Sequence, residues 1–134
     1  MKKFELTSEF VTFLGKKLFR IKALVSFGDV KEGELGGLVE KEENLDQSGN
    51  AWVSGDARVQ NCRDYSATSC FGSENRTTTF FRTKDGGISV RCGCFYGTLA
   101  EFREKVKERH GGRRLAKEYL MLADLMEFRL SKDE

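Results

Sequence analysis

Four cysteines, a single histidine and a set of arginines are the residues of this chain that could carry chemistry. The cysteines are Cys62, Cys70, Cys92 and Cys94, and four thiolates are a donor set for structural zinc. Their spacing argues against it. The paired CxxC knuckles of such sites are missing, and Cys92-Gly93-Cys94 continues a stretch whose alternate positions, Ile88 and Val90, are apolar. Strand alternation puts Cys92 and Cys94 on that same face, so they read as small buried hydrophobes and no metal is expected. His110 stands alone, with no Ser-His-Asp or Cys-His spacing around it. It falls at the end of a predicted helix, where the dipole favours a cation, so a capping or surface role is expected. No catalytic residue, no enzymatic activity and no cofactor follow from these residues.

Arginines offer a second kind of chemistry. Arg76, Arg82 and Arg91 lie on the strands of a predicted hairpin, with hydroxyls at Thr77-Thr78-Thr79 beside the first. Arg76, Arg82 or Arg91 could hold an anionic ligand, such as a nucleotide signal at an oligomer interface, although a polar strand edge needs the same residues. Further on, Arg103, Lys105, Lys107, Arg109, Arg113, Arg114 and Lys117 form a basic stretch that could meet nucleic acid. Glu101, Glu104, Glu108 and Glu118 interrupt it, which favours a solvated helix face with (i, i+4) pairing over a phosphate-binding patch.

The last helix carries a different signal. Leu115, Tyr119, Leu122, Ala123, Met126 and Leu130 make its main apolar face. Met121, Leu125 and Phe128 make a second stripe, on the side that carries Arg114, Lys117 and Glu118. Such a stripe belongs either to a helix buried nearly all round or to a contact with a partner or second copy. Met121, Leu125, Phe128, Arg113, Arg114 and Lys117 are therefore the candidate partner-binding residues.

The elements that must position these residues can be read from pattern. At 134 residues, with 39% hydrophobic and 33% charged residues, the chain can build a self-sufficient core. No apolar run is long enough for a membrane span. Met1-Lys2-Lys3-Phe4-Glu5-Leu6 starts basic but has no apolar run behind it, so a cytoplasmic protein with reduced thiols is expected. Net charge is +2, distributed as a basic segment over 1–22, an acidic one over 29–46 and a basic one over 101–118. That order suits intramolecular or homotypic pairing, and a homo-oligomer is expected.

Residues 9–27 predict a hairpin turning at Gly15-Lys16, with Leu14 opposite Lys17 and both faces apolar. Residues 76–96 predict another, turning at Asp85-Gly86, with Thr83 opposite Ile88 and Phe81 opposite Val90. Thr98-Leu99-Ala100-Glu101 is a capping box, opening a helix that ends at Gly111-Gly112, and a second helix follows from about Arg113 to Leu130.

Between the hairpins lies a repeat of period six: Gly49-Asn50-Ala51-Trp52-Val53-Ser54, then Gly55-Asp56-Ala57-Arg58-Val59-Gln60, then a degenerate third copy from Asn61. Six-residue periodicity marks a β-solenoid, here at most about one turn of it. The expected fold is α+β: two β-hairpins, a short vestigial β-solenoid segment and a C-terminal αα-hairpin. The expected division is a β-rich part over 1–70 and a ββαα module over 71–134.

Residues 4–60, through Lys17-Leu18-Phe19-Arg20-Ile21-Lys22-Ala23-Leu24, Phe27-Gly28-Asp29-Val30-Lys31, Gly36-Gly37 and the two hexads, resemble a known family. They are similar to the N-terminal part of bacterial and prophage hexapeptide-repeat, left-handed β-helix proteins of unknown function. The later segments, from Gly72-Ser73 to Lys117-Glu118-Tyr119-Leu120, are similar to the C-terminal module of small phage-encoded proteins. The resemblance implies a mobile-element origin and supplies no catalytic residue. It makes a host defence component the expected protein partner, in an anti-CRISPR-like role. An acyltransferase relic is the remaining alternative, expected inactive because the repeats lack histidine.

Overall fold

The first strand begins earlier than its β-branched run suggests. In the computed structural model, which describes residues 2–61, 63–71, 76–84, 86–92 and 95–131, β1 spans Phe4–Phe13 and β2 spans Lys16–Ala23. They pair with Phe13 opposite Lys16 and Phe10 opposite Phe19. This corrects the expected register: the turn is Leu14-Gly15, with φ of 52° and 80°. Two positive φ values are what a type I′ turn requires. Leucine is a rare occupant of that region, which is why sequence rules steer the turn one residue on. Although both faces of the hairpin carry apolar residues, its tip is open to solvent: Leu14 is 70% exposed and Phe10 45%.

β3 (Leu35–Val39) runs antiparallel to β2, and the two-residue β4 (Arg58–Val59) runs parallel to β3. The Gly36-Gly37 pair lies inside β3, where backbones approach closely. A Cβ on Gly36 would sit 2.7 Å from Trp52 Cζ2 and 2.7 Å from the Val53 carbonyl oxygen. Of the hexads, Ala51 and Ala57 at one repeat position and Val53 and Val59 at another are all buried. Across 49–60 they supply β4 and otherwise irregular backbone.

The second sheet is an antiparallel meander of β5 (Tyr65–Phe71), β6 (Arg76–Arg82), β7 (Ile88–Cys92) and β8 (Phe95–Thr98). The expected division between residues 70 and 71 falls inside β5. β6 and β7 pair with Phe80 opposite Val90 and Arg82 opposite Ile88, one residue from the expected register. The Thr83 amide donates to the Gly87 carbonyl, so the loop is wider than a two-residue Asp85-Gly86 turn; Asp85 itself lies outside the described residues. A one-residue slip exchanges the faces of every side chain. Phe80 thus joins Val90 toward the helices, while Phe81 points to the first sheet.

α1 (Leu99–His110) opens on the expected capping box: the Glu101 amide donates to Thr98 Oγ1 at 3.1 Å, and the Thr98 amide to Glu101 Oε1 at 2.8 Å. α2 (Arg114–Leu130) returns antiparallel after the glycine link, closing an α+β fold with a C-terminal helical hairpin. The second sheet is therefore the middle layer. One face closes a core of Phe4, Ile21, Val39, Trp52, Val53 and Val59 with Phe81. The other closes a core of Phe80 and Val90 with Leu99, Phe102, Val106, Tyr119, Leu122 and Met126. Beside the first core, Lys3 Nζ donates to the Ala51 carbonyl at 2.8 Å and lies 4.7 Å from the centre of the Phe27 ring. Burial pushes the Lys3 ammonium down to about 8, against the opposing pull of Asp46.

Candidate functional site

Helix α2 is held in place by side chains that leave one of its faces uncovered. Its inner face buries Ala116, Tyr119, Leu122, Ala123, Met126 and Leu130. Arg103 on α1 donates to Asp124 at 2.8 Å and to Glu127 at 2.7 Å. These hydrogen bonds, that to Glu127 foremost, raise the Arg103 guanidinium above its usual value. At the other end of the helix, Arg82 Nε donates to the Leu130 carbonyl at 2.6 Å. The helix is thus fixed along both its length and its rotation.

The outer face carries Met121, Leu125 and Phe128, which are 70%, 55% and 83% exposed. Their spacing of four and three residues places them on successive turns, so they form one apolar strip. Arg113, Arg114 and Lys117 are exposed as well and precede the strip in sequence. The six candidate partner-binding residues therefore occupy one helix and its N-terminal cap. Other exposed apolar side chains are arranged differently. At the β1–β2 tip, Phe10 contacts Phe19 at a centroid distance of 5.7 Å and has Lys17 Nζ 4.8 Å above its ring, so it is already dressed by neighbours.

Of the candidate ligand-binding arginines, Arg82 and Arg91 lie on opposite faces of the middle sheet. Arg82 reaches Asp64 Oδ1 at 2.8 Å and α2 on the helical side of the middle sheet. Arg91 reaches Glu34 at 2.8 Å, Ser54 Oγ at 3.1 Å and the Asp29 carbonyl at 3.2 Å on the side of the first sheet. Each ties two layers together. The Arg76 side chain lies outside the described residues. Sequence reasoning missed these bonds because they join positions far apart in the chain, and no local pattern marks them.

Cys92 packs at the edge of the helical core and accepts a hydrogen bond from Thr78 Oγ1 at 3.3 Å. Cys62, Cys94 and the Cys70 side chain lie outside the described residues. Among the described residues, no three His, Cys, Asp or Glu side chains are grouped to hold a metal. His110 closes α1 and stacks on Tyr119, with centroids 5.6 Å apart and planes 20° apart. In the basic stretch, Lys105 pairs with Glu108 and Lys107 with Glu104, both at 4.0 Å and at (i, i+3) rather than the expected (i, i+4). No helix among the described residues is long and apolar enough to cross a membrane.

Comparison with family models, curated proteins and solved structures finds no match to this chain.

Proposed function

We propose that this chain is a non-enzymatic binding protein whose working surface is the outer face of α2. The observation that carries the reading is the exposure of Met121, Leu125 and Phe128 on a helix already fixed by Arg82 and Arg103. A rigid helix that presents apolar anchors at i, i+4 and i+7 fits a partner groove with little ordering cost. The basic group Arg113, Arg114 and Lys117 gives that partner an acidic rim, because rim charges steer encounter and fix register. The occupant is thus a protein with an apolar groove edged by Asp or Glu.

The resemblance of the N-terminal segments to prophage proteins supplies the partner's class. It makes the partner a component of host antiviral defence, bound and blocked in the host cytoplasm, as an anti-CRISPR protein would do. The test uses wild type and Leu125→Asp as baits in the same host lysate, at equal folded amounts. A defence nuclease recovered and inhibited by wild type, and released by Leu125→Asp, supports the proposal. Equal recovery by both baits, or none by either, overturns it. A second copy of the chain is the competing occupant; a dimeric native mass that Leu125→Asp converts to monomer would replace the partner reading.

A further inference from the structure

We propose a second binding site, for a small phosphomonoester, in a cavity where the segment before β5 meets the carbonyl end of α2. The cavity holds about 290 Å³ and is lined by Asn61, Arg63, Arg82, Arg129 and Ser131. Three arginines from three separate parts of the chain meet there, and one of them is fixed in place. Arg82 Nε donates to the Leu130 carbonyl at 2.6 Å and Nη1 to Asp64 Oδ1 at 2.8 Å. Asp64 is itself buried and held by the Gln60 and Asn61 amides at 2.8 and 3.3 Å. A guanidinium has five N–H donors, so these two bonds orient Arg82 and leave donors for a ligand.

The charges define the ligand. Among the described residues, Arg63, Arg82 and Arg129 against Asp64 leave an excess of two positive charges, which matches a phosphate monoester near neutral pH. Guanidinium forks suit phosphate oxygens, and Arg63 and Arg129 are exposed and able to close on them. Asn61 Oδ1 accepts from the Arg63 amide at 2.7 Å, which leaves its NH2 group as a further donor. The negative end of the α2 dipole opposes an anion here. Two of its carbonyls are already covered: Leu130 by Arg82, and Glu127 by the Ser131 hydroxyl and amide. The volume lies at the small end of ligand sites and suits a phosphate with a sugar-sized group. Among the described residues none that lines the cavity is aromatic, so the site reads the phosphate and they offer no stacking surface for a base.

This site does not depend on the outer face of α2, because Met121, Leu125 and Phe128 are not among its lining residues. Calorimetric titration of the full chain with inorganic phosphate, ribose 5-phosphate and ribose tests it. Saturable heat is expected with both phosphates and none with ribose. The Arg63→Ala/Arg129→Ala double variant should keep its melting temperature and lose affinity about tenfold or more, since charge-assisted bonds are lost. Unchanged binding by Leu125→Asp separates the result from the partner test. Absence of saturable heat, or binding that survives the double variant, overturns the proposal.

Discussion

The surroundings of Trp52 and the surroundings of α2 treat apolar surface in opposite ways. Trp52 is closed on every side: Phe4 and Phe27 meet its ring at 6.3 and 5.5 Å, β3 presses Gly36 against it, and Phe81 caps the same core from the middle sheet. α2 is covered on one side only, although Leu122 and Leu125 are the same residue one turn apart. The first region has spent its apolar surface on the fold. The second has some left, and a rigid helix to display it.

That contrast can be broken at its strongest points first. Leu130 is fully buried at the end of α2, and Leu130→Ala should cost about 2–5 kcal/mol in a urea titration, through lost transfer energy and the cavity left behind. Around Trp52 the reverse change should hurt. Gly36→Ala puts a methyl 2.7 Å from the indole and from a backbone oxygen that cannot move aside, for a loss of about 1–3 kcal/mol. A stable Gly36→Ala variant would show that the first region is looser than its geometry.

A pH effect sharpens the same comparison. Lys3 sits beside the Trp52 core with its ammonium lowered to about 8 from 10.5 by burial. Below pH 8 both the folded and unfolded chains hold the proton, and the cost of burying it is constant. Between about 8 and 10.5 the unfolded chain holds a proton that the folded chain has released, so this group adds stability as pH rises. The stability difference between wild type and Lys3→Met should therefore move in favour of wild type across that window. A difference flat with pH would mean that the ammonium is well solvated.

What the sequence discloses follows the range of the interactions involved. The capping box at Thr98 and Glu101 and the two apolar faces of α2 are local, and both are legible. The strand registers are not. Phe80 and Phe81 are both apolar, so alternation fits either face, and only the wider Thr83–Gly87 closure decides which core each enters. Leu14 at positive φ defeats a rule that holds for most turns. The hexads mark inward positions at Ala51, Val53, Ala57 and Val59, while their arrangement as β4 and a crossover depends on β3. The arginine cavity is not legible at all, since Arg63, Arg82 and Arg129 meet only once β5, β6 and α2 are assembled.

The central claim is that the outer strip of α2 is surplus to the fold. The direct measurement is the urea midpoint of Leu125→Asp beside that of Leu122→Asp. Leu125→Asp should stay within about 0.5 kcal/mol of wild type, as surface substitutions do, while Leu122→Asp should lose about 4 kcal/mol or more by burying an unpaired charge. If Leu125→Asp unfolds the protein as readily as Leu122→Asp, the strip is core and the account fails.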